Sequence, residues 1–132
     1  ICAAAVADWE VTSAAPKKLK KPHDSNAKML LELSQNPDIL ANLSTSKNRP
    51  KLVIGFAAET ENLFENAQAK RHRKGCDWMI ANQVGDEDDP VFGSTKNKAL
   101  MITELNVEAW PQMRKTELAE KLVDRIEAEF SK

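Results

Sequence analysis

The residues able to do chemistry lie in short, separated clusters. Lys17, Lys18, Lys20 and Lys21 fall between Pro16 and Pro22. Like charges packed this closely repel one another, and a polyphosphate would relieve that repulsion. A solvated basic loop, or a nucleic-acid patch, fits the same composition. Lys70 and Lys74 are spaced i,i+4 and share one face of a helix. Within Lys70-Arg71-His72-Arg73-Lys74 they also suit the negative end of a helix dipole, so only an anionic ligand would single them out. Asn36-Pro37-Asp38-Ile39 has the composition of a helix start: a favoured N-cap, proline at the first helical position and an acid in the first turn. The free N–H groups of such a start can equally meet an anion or a polar ligand edge. Asp8, the 56–60 turn and Asn82 stand toward the ends of apolar runs. Phe56 suits either a stacked base or the core.

Other chemistry finds less support. Gly55-Phe56-Ala57-Ala58-Glu59-Thr60 has too few glycines for a dinucleotide fingerprint or a P-loop. Cys2 and Cys76 read as buried small residues. A nucleophilic pair with His72 or His23 lacks an orienting third group. Two cysteines cannot supply a disulfide scaffold or a four-cysteine zinc site.

The elements that would position these clusters alternate. Residues 1–7 are short and apolar, which predicts a buried parallel strand ending at Asp8. The stretch 10–35 predicts a two-stranded excursion carrying a basic flap, with Val11 to Ala15 going out, a turn at His23-Asp24-Ser25-Asn26, and Met29 to Leu33 returning. A helix follows from Asn36, burying Ile39, Leu40 and Leu43, and Ser44 to Pro50 reads as loop. Leu52 to Ala58 is a continuous apolar run and predicts a fully buried strand. Thr60 is placed to cap the next helix, with Leu63, Phe64 and Ala67 inward and Gly75 as its stop. Trp78 to Ala81 and Ala99 to Ile102 predict strands, with a loop over 85–97 between them. Val107 to Met113 reads as extended and bent at Pro111. The last helix carries Leu118, Leu122, Val123, Ile126 and Phe130 on one face.

This alternation predicts an α/β fold, a parallel sheet flanked by helices. In such sheets ligands bind outside the C-terminal ends of the strands. The chain has 132 residues and reads as a single domain. It carries 19 basic and 20 acidic residues, so a global polyelectrolyte mode of binding nucleic acid or membrane is excluded, though a local basic patch is not. No apolar run reaches the roughly 18 residues of a membrane-spanning helix. The opening Ile1-Cys2-Ala3-Ala4-Ala5-Val6-Ala7 lacks the basic leader of a signal peptide and points to a fragment of a longer domain.

Taken in order, the clusters resemble the phosphopantothenate–cysteine ligase family, the synthetase half of the bifunctional bacterial coenzyme A biosynthesis protein. The resemblance runs through Ala4-Ala5-Val6-Ala7-Asp8-Trp9, Lys18-Leu19-Lys20-Lys21, Asn36-Pro37-Asp38-Ile39 and Val53-Ile54-Gly55-Phe56-Ala57-Ala58-Glu59-Thr60. It continues through Lys70, Lys74 and Ile80-Ala81-Asn82. It implies a Rossmann-like fold and a cytoplasmic homodimer that joins 4′-phosphopantothenate to L-cysteine with CTP and Mg²⁺, through an acyl-cytidylate. It implies neither a nucleic-acid partner nor a membrane partner. By the same resemblance Lys18 is the catalytic flap lysine, and Lys70 and Lys74 grip the triphosphate. Asn36, Pro37, Asp38, Ile39 and Phe56 line the cytidine site, and Asp8 binds the nucleotide or its Mg²⁺. FMN belongs only to the decarboxylase half, which is absent from this sequence. The sequence departs from the family at Asn82-Gln83-Val84, at Val91-Phe92-Gly93-Ser94-Thr95, and in lacking the family's glycine-rich first unit and its Ser-Asn-x-Ser-Ser-Gly-Lys-Met segment. The expectation is therefore an N-terminally truncated synthetase domain over 1–132. The competing expectation is a nucleotide- or nucleic-acid-binding α/β module without catalysis. A nicotinamide-dependent oxidoreductase is a third reading, and it would need a glycine fingerprint that this sequence lacks.

Overall fold

The computed structural model describes residues 1–20, 28–84 and 95–132. In chain order the elements are β1 (Trp9–Val11), β2 (Leu33–Gln35), α1 (Ile39–Thr45), β3 (Ile54–Glu59), α2 (Leu63–Lys74), β4 (Trp78–Gln83), β5 (Lys96–Ile102), β6 (Val107–Arg114) and α3 (Lys115–Phe130). They form two units, a small one over Ala4–Ile39 and a large one of Ile1–Ala3 with Leu40–Lys132.

The large unit is a four-stranded sheet in the order β3-β4-β5-β6. The α/β class is as the sequence predicts, but the sheet is mixed rather than parallel. Strands β3 and β4 run parallel, with Phe56 opposite Ile80. Strand β5 is antiparallel to β4, and β6 is antiparallel to β5. The reason lies in the link between β5 and β6. Residues 103–106 are too short for a crossover and can only make a hairpin. Thr103 and Asn106 close that hairpin, the Thr103 N–H donating to the Asn106 carbonyl at 2.8 Å and the Asn106 N–H to Thr103 Oγ1 at 2.9 Å.

Alternation along the strands builds two cores. Ile54, Trp78, Ile80, Ala99, Met101 and Trp110 point to the face covered by Leu118 and Leu122 of α3. Val53, Ala57, Met79, Ala81 and Ile102 point the other way, where Ala67 of α2 and Leu40 and Leu43 pack. Pro111 lacks a backbone donor, and β6 accommodates it as an edge strand. A register shift also falls there, since Ala99 faces Trp110 while Asn97 faces Met113. This is the bend expected at Pro111.

Several boundaries differ from expectation. Residues 1–7 are not a buried strand. Cys2 makes one parallel bridge to Gly55, its N–H donating to the Ile54 carbonyl at 2.8 Å. Ile1 and Val6 are exposed. The alanines beside them offer little area to bury, so nothing extends the strand. Helix α1 runs on through Ser44 and Thr45, which were expected to be loop. The Ser44 hydroxyl donates to the Leu40 carbonyl at 2.7 Å and is thereby satisfied while buried. Asn62, with φ 45°, stands before α2 in place of Thr60. Gly75 ends α2 as expected, at φ 69°, its N–H donating to the Arg71 carbonyl at 3.0 Å.

The small unit pairs β1 with β2 antiparallel, Trp9 facing Gln35 and Val11 facing Leu33. A two-stranded excursion is present as expected, but its three-residue strands are Trp9–Val11 and Leu33–Gln35 rather than Val11 to Ala15 and Met29 to Leu33. Lys21, the turn at His23 to Asn26 and most of the 85–97 loop lie outside the described residues.

Candidate functional site

The small unit brings Asp8 and the Asn36-Pro37-Asp38-Ile39 segment together. The Asn36 N–H donates to the Asp8 carbonyl at 2.9 Å, and the Asn36 side-chain amide donates to the Ala7 carbonyl at 2.8 Å. Asn36 is thus a tertiary stitch rather than a helix cap. Asp38 takes the capping position, because α1 begins at Ile39. These bonds occupy backbone groups of Ala7 and Asp8 and leave the Asp8 side chain exposed at the end of its segment. Lys17, Lys18 and Lys20 are exposed on a stretch without regular structure.

In the large unit, Phe56 and Glu59 leave β3 on opposite faces. Phe56 packs against the core beneath α3. It is half-buried and lies within β3 opposite Ile80, because the strand runs on to Glu59 where a turn over 56–60 was expected. Glu59 is the last residue of β3 and faces α2, where Lys70 Nζ lies 3.4 Å from its Oε1. Lys70 therefore sits at the C-terminal end of the parallel pair, the end at which α/β sheets take ligands. Lys74 stands one turn further along α2 and is also half-buried. Asn82 lies in β4 opposite Ala58, at the same end of the sheet.

The five basic residues at the end of α2 do different work. Arg71 turns back to the chain that follows, its guanidinium donating to the carbonyls of Cys76 and Asp77 at 3.3 and 3.5 Å. His72 and Arg73 are exposed. Sequence reasoning missed Glu59 as the partner of Lys70. The available signal was an acid closing an apolar strand run, eleven residues before a lysine. Burial pushes the Cys76 thiol up from its ordinary value, which disfavours the thiolate and agrees with its reading as a small core residue. Cys2 is only half-buried.

Among the described residues, no group of three or more His, Cys, Asp or Glu side chains could hold a metal ion. No helix among the described residues is long and apolar enough to cross a membrane.

The large unit is thus an α/β sheet with the Lys70–Glu59 pair at the C-terminal end of its parallel strands. Residues 1–130 match the model of the DNA/pantothenate metabolism flavoprotein C-terminal domain, and the chain belongs to that family. Among its relatives, the coenzyme A biosynthesis bifunctional protein CoaBC of Escherichia coli K12 is 36% identical over 123 residues, covering 93% of this chain and 30% of that protein. The CoaBC protein of Borreliella burgdorferi is 34% identical over 124 residues, covering 93% of this chain and 30% of its own length. A crystal structure of the C-terminal domain of a CoaBC protein superposes with a TM-score of 0.61 at 30% identity, covering 76% of this chain and 45% of that one. The chain thus spans about 30% of the length of the curated relatives it matches. It is homologous to the C-terminal domain of proteins of coenzyme A biosynthesis.

Proposed function

We propose that this chain serves coenzyme A biosynthesis as part of a CTP-dependent phosphopantothenate–cysteine ligase. The observation that carries the reading is the Lys70 ammonium at the C-terminal end of β3, where a triphosphate needs a cation. Its support is the homology to CoaBC proteins together with the ordered motifs around Asp8, Lys18, Asn36 and Phe56. In this reaction the 4′-phosphopantothenate carboxylate attacks the α-phosphorus of CTP, and pyrophosphate leaves. The cysteine amine then attacks the acyl carbon, and CMP leaves.

Each step sets a task for the chain. An anionic carboxylate must approach an anionic phosphate, so the site has to supply positive charge and fixed geometry. Lys70 and Lys74 hold the triphosphate, and Lys18 stabilises charge at the reacting phosphate and in the condensation. Asn36 to Ile39 and Phe56 contact the cytidine. Asp8 holds the nucleotide's Mg²⁺, whose chemistry is to neutralise phosphate charge. A homodimer belongs to the same reading, and the exposed Val6, Trp9, Leu30, Leu31 and Leu33 of the small unit offer apolar area for it.

The test is turnover by the full-length protein with 4′-phosphopantothenate, L-cysteine and CTP, followed by pyrophosphate release. Lys18→Ala should lower product formation by about 100-fold or more, as loss of one oriented charge-stabilising group does, without moving the melting temperature. Wild-type turnover by that variant would remove Lys18 from the mechanism. Tight oligonucleotide binding with no CTP binding would favour a nucleic-acid module instead.

A further inference from the structure

We propose that Glu59 is a positioning residue that holds the Lys70 ammonium at the end of β3, ready for a nucleoside triphosphate. This rests on the CTP reading above. Glu59 is anchored by its strand: the backbone pairs with Gln83 of β4, and the Val84 N–H donates to the Glu59 carbonyl at 2.9 Å. Its side chain is only 18% accessible, and that of Lys70 is 31% accessible. A lysine side chain is long and loses much rotamer freedom when fixed, so an unrestrained Lys70 would be a poor grip. The carboxylate gives the ammonium one preferred place.

The contact is suited to sharing. At 3.4 Å it is longer than the usual charge-assisted bond of about 2.7–2.9 Å. A lysine has three donors, so one directed at Glu59 leaves others for phosphate oxygens. Glu59 itself repels a triphosphate, and its value to the site therefore runs through Lys70. No such value attaches to Arg71, which is turned toward the carbonyls of Cys76 and Asp77.

A double-mutant cycle on the full-length protein tests this, reading CTP affinity by calorimetry and KM for CTP against KM for cysteine. Glu59→Ala should weaken CTP binding by about five-fold and raise KM for CTP while leaving KM for cysteine in place, a coupling of the size seen between contacting residues. In a Lys70→Ala background the same change should cost nothing further. An equal loss in both backgrounds, or a parallel rise in KM for cysteine, would overturn the positioning role while leaving the CTP reading intact. No CTP binding by the wild type would overturn the functional reading and this inference with it. Glu59→Gln, close in volume but uncharged, supplies the same cycle should the alanine variant fail to fold.

Discussion

The two units differ in how they use apolar residues. The sheet of the large unit hides them, with Val53, Met79, Ala81, Ile102 and Trp110 at most 1% accessible, although Leu105 in the β5–β6 link is 94% exposed. The small unit displays them: Trp9 is 57% exposed, Leu31 59% and Leu30 96%. The first pattern belongs to a framework whose stability is internal. In the second, three-residue strands are too short to bury a face of their own. The difference separates what holds the fold from what is free to meet a ligand or a second copy.

The largest expected effect is in the buried set. Trp110 joins β6 to α3 beneath the Lys121 ammonium, 5.1 Å from the ring centroid. Trp110→Ala should cost about 3–5 kcal/mol, seen as a lower denaturant midpoint. A cost below about 1 kcal/mol would mean that this face is not closely packed.

A smaller loss is expected from close approach. A Cβ on Gly55 would lie 2.5 Å from Leu40 Cδ2. Gly55→Ala should therefore cost about 1–3 kcal/mol through overpacking between β3 and α1, measured by chemical denaturation. The small unit should respond differently. Leu31→Ala should change monomer stability by under about 0.5 kcal/mol, as exposed positions do. It should weaken self-association in sedimentation if the exposed set serves a homodimer, and unchanged association would remove Leu31 from any interface.

The same contrast marks what could be read from the sequence. The strand within Leu52 to Ala58, the buried Leu118 and Leu122 of α3 and the Gly75 stop were legible because burial and backbone conformation dictate residue type locally, whereas Ile39, Phe64, Val123 and Phe130, expected to face inward, are exposed. The antiparallel β5–β6 pair was legible too, from a link too short for a crossover, but the alternation of elements pointed to a parallel sheet instead. The role of Asn36 was not legible. Its type fits a cap, and only a partner 29 residues away turns its amide to Ala7 instead. Burial of residues 1–7 was over-read, because a short alanine run has neither the area nor the pairing to be a strand. Residue type left Asp8, Lys18, Lys70 and Lys74 with ordinary readings, and only the family resemblance singled them out, whereas the Glu59 contact depends on how α2 packs on β3.

The smallest effect concerns how the edge of the large unit is tied down. Glu108 of β6 is bound by two cations of α3, Arg125 and Lys121, the latter at 3.3 Å. The hydrogen bond from Arg125 is the main cause that holds the Glu108 carboxyl below its ordinary value, with Lys121 adding to it. A carboxylate favoured as the anion in the folded state contributes stability above its unfolded value of about 4.3. That contribution falls away as the pH drops through the lower folded value. Glu108→Gln should therefore lower stability slightly at neutral pH and flatten its decline below about pH 4.3. Exposed pairs of this kind are worth little, about 1 kcal/mol or less, so a pH series of denaturation midpoints is the sensitive measurement. A variant whose acid limb parallels the wild type would show that Glu108 titrates alike in both states. The tie between β6 and α3 would then rest on Trp110, its apolar neighbours and the Lys121 ammonium over its ring.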